Sequence, residues 1–247
     1  MRVAGRAARV SEPVRIKRFY EDVAVKPIEE GYGVLLDGRQ SRTMGRNPLA
    51  APTENLAAGI AAEWGAQGEF IDRQTMPLTA VLSAAIDSGE AGAAEWRAET
   101  LKFLMTDLLC YRATAPATLA ERQQEIWDPY IGWLHHEFGA ALVVTSGVTA
   151  VSQPDAAINQ VEHALGELSP LALFAICTAT KISGSAVLAL ALWKGAWPPA
   201  EIFAASRLDE HFQELSWGVD AEAKAREQSI EKDFLAVSNF MRLLNGA

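Results

Sequence analysis

Residues 33–43 read GVLLDGRQSRT, an apolar run and a polar run separated by Asp37-Gly38. Both central positions of a two-residue hairpin turn need positive φ, and Asp-Gly is among the pairs that best supply it. The stretch therefore predicts a β-hairpin whose polar return strand lies at an edge or faces solvent. Val23–Val25 comes shortly before it and alternates as a half-buried strand does, which adds another strand.

The period of the hydrophobic pattern changes from strand to helix after this sheet. Thr53 can cap a helix that ends at Gly65 or Gly68. The apolar positions of this helix are Leu56, Ile60, Ala61 and Trp64. Residues 70–72 then allow one more short strand before helical spacing takes over at Pro77.

The segment Asp87-Ser88-Gly89 interrupts the helical pattern, and we place a domain boundary there. The fold prediction is α+β, with a small N-terminal antiparallel β-rich domain followed by a larger all-α domain. These domains are expected to span 17–88 and 89–247. Residues 1–16 are expected to form a disordered basic N-terminus.

The larger domain is expected to contain several helices separated by Pro and Gly. Their predicted ranges are 91–112, 119–138, 155–168, 170–193, 198–216 and 221–247, with a short strand at 141–144. The run Leu171–Trp193 is long enough to suggest a membrane span, but Lys181 lies at its middle, where a charge is costly. We therefore interpret the run as one helix buried in the domain and predict that the protein is not an integral membrane protein. Gly184-Ser185 is then a site of close packing inside that helix rather than a nucleophile elbow.

The formal net charge of −9 is unevenly distributed along the chain. Residues 1–18 carry six basic side chains and one acidic side chain, whereas the other 229 residues carry 16 basic and 30 acidic ones, a net charge of −14. Binding to a phosphate backbone needs clustered Lys and Arg, so we predict that nucleic acid is not a partner. The acidic body either serves solubility alone or attracts a basic patch on a protein partner.

Motifs that would indicate catalysis are scarce. The sequence contains no glycine-rich phosphate loop, nucleophile elbow or zinc-protease motif. Cys110 and Cys177 stand alone in apolar stretches, which favours buried free thiols in a reducing compartment. His135 and His136 project about 100° apart on a helix, so they do not converge on one metal ion. We predict no cofactor, metal site or catalytic residue, although carboxylates brought together by folding could still form an acid–base site.

Residues 206–215 read SRLDEHFQEL and form the most informative helix. Leu208, Phe212 and Leu215 fall at i, i+4 and i+7, so they are predicted to face the core. The polar positions then form an outward acidic face, which consists of Asp209, Glu210, Gln213 and Glu214. This face is either a solvated surface or a docking surface for a basic or hydrogen-bonding partner. Trp217 lies beside the following loop and could anchor such an interface.

Several short segments, spread over about residues 17–222, also occur in a known protein family. They are KRFY at 17–20, LDGR at 36–39, AEW at 62–64, TMPLT at 75–79, CYR at 110–112, WDP at 127–129, SRLDE at 206–210, FQ at 212–213 and WG at 217–218. With these segments in this order, the sequence resembles the assembly chaperones that bind the α subunit of the soluble catalytic head of ATP synthase.

The resemblance implies a β-rich N-terminal domain joined to a helical domain, in agreement with the hydrophobic pattern. It also implies a chaperone rather than an enzyme, one that holds the free α subunit and covers the nucleotide-site interface that a β subunit later takes. Such an interface is apolar and prone to aggregation when exposed. The expected location is the bacterial cytoplasm, or the mitochondrial matrix if the source is eukaryotic.

The acidic helix that is functionally important in the family matches residues 207–210. The partner-binding residues implied by the resemblance are Arg207, Asp209, Glu210, Gln213, Glu214 and Trp217. Family members often have Glu where Asp209 stands, and His211 replaces a commonly acidic residue, so Asp209 and Glu210 are expected to share the contact. Two other functions stay open: an enzyme that uses paired carboxylates in a cleft between the domains, and a scaffold with no dedicated client.

Overall fold

The computed structural model describes residues 16–147, 149–218 and 220–246, with the side chains of Ser216 and Trp217 excepted. The segment predicted to be a disordered N-terminus, 1–16, therefore lies outside the described residues apart from Ile16. Within the described ranges, no helix is both long and apolar enough to cross a membrane.

A four-stranded antiparallel sheet forms near the N-terminus, as the sequence predicts. Its strands are β1 (Val23–Ile28), β2 (Gly31–Leu36), β3 (Arg39–Gln40) and β4 (Ala50–Ala51). The strand β2 pairs with each of the other three. Asp37 and Gly38 form the turn between β2 and β3 with φ values of 47° and 76°. The hairpin predicted from Asp-Gly is therefore confirmed.

Helix α1 (Glu54–Gly65) packs against this sheet and begins where the sequence predicts. The Thr53 hydroxyl caps the helix, because its Oγ1 accepts a hydrogen bond from the Leu56 N–H at 3.2 Å. The same hydroxyl donates to the carbonyl of Leu243 at 2.8 Å. One side chain thus starts α1 and joins it to the opposite end of the described chain.

The short strand predicted at 70–72 is wrong. Phe70 forms one isolated bridge with Lys17, and a 3₁₀ turn follows at Arg73–Thr75. The carboxylate of Asp72 accepts a hydrogen bond from the backbone N–H of Gln74 at 3.0 Å and so starts this turn. The cap ends the extended conformation before a strand can form.

Helix α2 (Pro77–Met105) passes through the predicted domain boundary, where Gly89 adopts φ 60° and ψ −167° and kinks the helix. The helix predicted over 91–112 extends too far, since α2 ends at Met105 and a 3₁₀ turn follows at Leu108–Cys110. The cause is Asp107, whose carboxylate accepts a hydrogen bond from the Leu109 N–H at 3.1 Å and starts the new turn.

Two short strands come before and after the next helix, which spans Ala117–Phe138. The strands β5 (Tyr111–Arg112) and β6 (Thr145–Ser146) pair in parallel. The strand predicted at 141–144 is wrong, because the paired residues come directly after that range.

In the described residues, the rest of the chain forms seven helices. They are α3 (Ala117–Phe138), α4 (Asp155–Gly166), α5 (Pro170–Ser183), α6 (Ala186–Trp193), α7 (Pro199–Ser206), α8 (Leu208–Trp217) and α9 (Ala221–Leu244). The predicted positions of α3, α4 and α9 are confirmed to within a few residues.

The single buried helix predicted over 170–193 is wrong, because the run contains both α5 and α6. Gly184 ends α5 with a left-handed φ of 74°. Ser185 then caps α6, since its Oγ accepts a hydrogen bond from the Leu188 N–H at 3.1 Å. Gly184-Ser185 is therefore a junction between two helices. Similarly, the helix predicted over 198–216 is divided into α7 and α8 at Arg207, where φ is −110° and ψ is 16°.

The helices α5 and α6 lie at the centre of the helical part, so the predicted burial of this run is confirmed. Every residue from Ala186 to Leu192 is at most 5% exposed. The surrounding helices α2, α3 and α9 pack against them. The predicted buried free thiols are also confirmed, with Cys110 and Cys177 exposed by 0% and 1%. Burial raises the pKa of Cys110 to about 12 and also raises that of Cys177.

Candidate partner-binding site

Helix α8 carries the predicted acidic face and packs against α3. Asp209 and Glu210 stand in its first turn, where carboxylates are favourable because the N-terminus of a helix has partial positive charge. Glu210 and Gln213 are exposed, whereas Asp209 and Glu214 are half-buried. The four side chains therefore do not form one outward face.

Asp209 is oriented by a buried amide on α3. Gln123 is 1% exposed, and its Nε2 donates to Asp209 Oδ1 at 2.7 Å. The other end of this amide is also occupied, since Gln123 Oε1 accepts from the Ala113 N–H at 2.7 Å. Because both ends of the amide are bonded, Gln123 holds the Asp209 carboxylate in one orientation.

A buried arginine fixes Gln123 in turn. Arg112 Nη1 donates to the carbonyl of Gln123 at 2.6 Å, and its Nη2 donates to the Asp128 carboxylate at 2.8 Å. Burial lowers the pKa of Arg112, and the Asp128 charge opposes this effect. The site thus has a rigid support of paired groups beneath Asp209.

Arg207 attaches the start of α8 to the end of α5. Its Nη1 donates to Glu210 Oε1 at 3.1 Å, and its Nη2 donates to the carbonyl of Ile182. The Arg207 guanidinium also lies 5.6 Å from the centre of the Phe203 ring. Its Nε is buried without a hydrogen-bond partner among the described residues. Arg207 therefore both positions α8 and limits the movement of Glu210.

A polar cavity of about 490 Å³ opens on this flank of α8. We call it the polar cleft; its lining is Leu108, Trp127, Lys181, Ile182, Ser183, Gly184, Ser206, Arg207, Asp209, Glu210 and Gln213. The structure thus brings together four of the six predicted partner-binding residues. Two residues were not predicted as part of the site, because they come from distant helices: Lys181, which lines the cleft, and Gln123, which orients Asp209. The cleft offers both charges, so it can bind a partner through hydrogen bonds and ion pairs.

The other two predicted residues are placed differently. Glu214 lies near His211 and Glu227 of α9, outside the polar cleft, and the side chain of Trp217 lies outside the described residues. His211 Nε2 is 2.5 Å from Glu227 Oε1. One ligand atom from each of His211, Glu214 and Glu227 falls within 4.8 Å of the others, so these residues could hold a metal ion.

The apolar stripe of α8 begins in the core, where the predicted burial of Leu208 is confirmed, and ends at an open groove. Leu208 is buried at 5% exposure and Phe212 is half-buried, but Leu215 is 88% exposed. The prediction that Leu215 faces the core is therefore wrong. The helices α3 and α7 leave a groove of about 620 Å³ beside α8, and the C-terminal end of the stripe has no core to enter.

We call this second cavity the apolar groove. Its lining is Thr118, Arg122, Ile126, Pro129, Tyr130, Trp197, Glu201, Ala204, Ala205, Leu208, His211, Phe212 and Leu215. The Tyr130 and Trp197 rings pack with their centres 4.4 Å apart. The sequence signal for this groove was the amphipathic pattern of α8, which does not distinguish a core from a groove.

The sequence and the fold of the chain are both similar to known proteins. The sequence profile of the ATP12 chaperone protein family matches residues 17–135. The crystal structure of Atp12 from Paracoccus denitrificans is 38% identical, covers 93% of this chain and 98% of its own, and superposes with a TM-score of 0.89. The chain belongs to the ATP12 chaperone family.

Two further structures support the assignment to the ATP12 family. A variant of Paracoccus denitrificans Atp12 with an aspartate-to-lysine substitution is 37% identical, covers 93% of this chain and 98% of its own, and has a TM-score of 0.89. A protein from Agrobacterium tumefaciens is 38% identical, covers 92% of this chain and 86% of its own, and has a TM-score of 0.88.

Membership of the ATP12 family confirms the resemblance and the fold class inferred from the sequence. The ATP12 family is a family of ATP synthase assembly chaperones. Asp107, a buried carboxylate of the kind that an enzyme could use, lines neither the polar cleft nor the apolar groove.

Proposed function

We propose that this chain binds the free α subunit of ATP synthase and shields its nucleotide-site interface until a β subunit replaces the chaperone. The observation that carries the proposal is the placement of Asp209 and Glu210 in the first turn of α8, each held by a defined partner at the polar cleft. Membership of the ATP12 family supports an ATP synthase subunit as the client.

The oriented carboxylates reduce the cost of binding. Gln123 already fixes Asp209 and Arg207 already restrains Glu210, so less side-chain entropy is lost when a client docks. Residues 19–247 carry a net charge of −14, which favours encounter with a basic patch on the client. The proposed contacts are Arg207, Asp209, Glu210, Gln213, Glu214 and Trp217.

We assign the proposed activity to the bacterial cytoplasm, or to the mitochondrial matrix for a eukaryotic source. The structural relatives from Paracoccus denitrificans and Agrobacterium tumefaciens support the bacterial alternative. The free thiols of Cys110 and Cys177 suit a reducing compartment such as the cytoplasm.

The test is co-expression with the α subunit, followed by size-exclusion chromatography. The wild-type chain is expected to keep α soluble and to elute with it. The double substitution Asp209→Lys with Glu210→Lys is expected to abolish co-elution, because it reverses the charge of the first turn. Circular dichroism should show that this variant keeps the wild-type helix content.

A matched control separates the site from overall charge. Glu162→Lys with Glu167→Lys changes the net charge equally at exposed positions in and next to α4, and neither residue lines the polar cleft or the apolar groove. This control should still elute with α. If the Asp209/Glu210 variant captured the α subunit as well as the wild type does, Asp209 and Glu210 would not be part of the binding site. Aggregation of α despite wild-type chaperone would instead favour the scaffold or the enzyme alternative.

A further inference from the structure

The flank of α8 opposite the polar cleft has no role in the contacts proposed so far. We infer that the apolar groove is the binding site for an amphipathic, basic segment of the client. The apolar side of this segment enters the groove, and its basic side chains reach the acidic residues of α8. The identity of the client rests on the proposed function, whereas the groove and its ligand chemistry rest on this structure.

The groove is built as a receptor for apolar side chains. Its walls are formed by Ile126 and Tyr130 of α3, by Trp197 before α7, and by Phe212 of α8. Burial and the nearby Glu201 carboxylate raise the pKa of Tyr130 to about 12, so its hydroxyl stays neutral. A preformed cavity of about 620 Å³ falls in the range that proteins use for binding sites.

Leu215 shows that the groove is incomplete without a partner. The side chain is 88% exposed, although it continues the stripe that Leu208 and Phe212 begin. An apolar side chain in water contributes nothing to the hydrophobic stabilisation of the fold. Its place at the rim of an apolar groove indicates a surface that a second molecule covers.

The charges beside the groove select a basic occupant. Residues 201–222 include six acidic side chains and one arginine, a net charge of −5. Glu201 lines the groove itself, whereas Asp209 and Glu210 line the polar cleft on the other flank of α8. The basic groups that line the groove are already paired: Arg122 donates to Glu125 at 2.8 Å, and His211 lies 2.5 Å from Glu227. The excess negative charge therefore complements lysine or arginine on the occupant.

One client surface can contact both flanks of α8 together. Leu208, Phe212 and Leu215 project to one side of the helix, and Asp209 and Gln213 project to the other. A helix is only about 10–12 Å across, whereas a stable interface covers roughly 800 Å² on each partner. Carboxylates alone cannot shield an apolar client surface, because apolar area is removed from water only by apolar contact. The groove supplies that contact.

The test uses the full chain and a defined probe. The probe is a fluorescein-labelled 14-residue helical peptide with leucine on one face and lysine on the other. Its binding is measured by fluorescence anisotropy in 0.3 M NaCl, because this salt concentration screens non-specific electrostatic attraction. The wild-type chain should bind it saturably. The same peptide with serine in place of leucine should bind at least tenfold more weakly.

Two variants locate the binding, and neither changes the charge. Leu215→Gln removes the exposed apolar side chain, and Ala204→Trp fills the groove from the exposed surface of α7. Each should weaken peptide binding about tenfold. Leu235→Gln is the matched control, because Leu235 is an exposed leucine of α9 outside the groove, and it should bind like wild type. Wild-type affinity in both groove variants would overturn the inference.

The same variants distinguish this inference from the proposed function. If wild-type chaperone captures the α subunit and both groove variants capture it equally well, the inference is wrong and the proposed function is retained. If the peptide binds in the groove but wild type does not capture α, the proposed function is wrong. The groove then serves a basic amphipathic segment of another protein.

Discussion

Asp107 is a fully buried carboxylate that holds three parts of the chain together. Its Oδ1 accepts hydrogen bonds from Ser185 Oγ at 2.7 Å and from the Leu109 N–H at 3.1 Å. Its Oδ2 accepts from the Val187 N–H at 3.1 Å, at the start of α6. Burial raises the pKa of Asp107 to about 6, and the donors only partly oppose this effect. The residue is best explained as a structural anchor.

This raised pKa predicts how stability depends on pH. The carboxyl has a pKa of about 3.9 in the unfolded chain, so between pH 4 and pH 6 the native state retains a proton that the unfolded state has lost. The contribution of Asp107 to stability is therefore complete below pH 4 and is lost as pH rises through 6. Asp107→Asn does not titrate. The difference in unfolding free energy between wild type and this variant should be roughly 2–3 kcal/mol larger at pH 4 than at pH 7.

Urea denaturation of both proteins at the two pH values measures this difference. Equal differences at pH 4 and pH 7 would show that Asp107 has an ordinary pKa in the folded chain. Circular dichroism before denaturation confirms that the variant is folded at both pH values.

At the scale of single elements, local turn and cap chemistry was predictable from the sequence. The hairpin at Asp37-Gly38 and the cap at Thr53 each depend on one residue and its immediate neighbours. The break between α5 and α6 was missed for a physical reason. Helix α6 is buried on all sides and α5 over most of its surface, so the apolar pattern continues from one helix to the other without a polar interruption at Gly184-Ser185. Gly184 and Ser185, which form the helix end and the cap, were noticed in the sequence but were interpreted as residues that allow close helix packing.

The surroundings of α8 could not be predicted in this way. The bond from Gln123 to Asp209 joins residues 86 positions apart, and no local pattern indicates such a pair. The exposure of Leu215 likewise depends on where α3 and α7 lie. The sequence could show that α8 is amphipathic, but only the packing of distant helices shows what each flank faces.

The junction between α5 and α6 gives a prediction for Gly184, and Gly132 in α3 serves as its control. Gly184 has φ 74°, and an added Cβ would meet its nearest atom, Leu108 Cδ2, at 4.0 Å. There is room for a methyl group, so Gly184→Ala should destabilise the protein by about 1–2 kcal/mol through the left-handed backbone alone. Gly132→Ala inside α3, with no atom within 4 Å of the added Cβ, should instead stabilise by about 0.5–1 kcal/mol.

Urea unfolding midpoints of the two glycine variants provide the measurement. A stabilising Gly184→Ala would mean that the junction is not left-handed in solution and that α5 continues toward α6 as one helix. Gly132→Ala serves as the matched substitution at an ordinary helical position.

At the scale of the whole molecule, α9 connects the helical part to the sheet region. Its Leu243 carbonyl accepts the hydrogen bond from Thr53, and its Lys232 Nζ donates to the Gln74 carbonyl at 3.2 Å. Phe234 and Phe240 of the same helix are fully buried. Helix α9 lies almost wholly beyond the segments that carry the family resemblance, yet it supplies contacts that join both parts of the fold.

The substitution Phe240→Ala tests this connection and the boundary predicted near residue 88. Removing the buried ring should cost about 3–5 kcal/mol. Because α9 contacts both α1 and α5, hydrogen exchange should accelerate to the same extent in peptides from β2 and from α5. Retained protection in β2 alone would show that residues 17–88 unfold independently. Mass spectrometry of the exchanged peptides measures both regions in one experiment.

The burial of Cys110 and Cys177 has a practical consequence for spectroscopy. Maleimides react with accessible thiolates, and these two thiols are 0% and 1% exposed with raised pKa values. A cysteine introduced at Lys181, an exposed residue that lines the polar cleft but is not a proposed contact, would therefore be labelled selectively without removal of either native cysteine. A fluorophore attached there would report the arrival and departure of a client in real time, in a chain that differs from the native one at a single position.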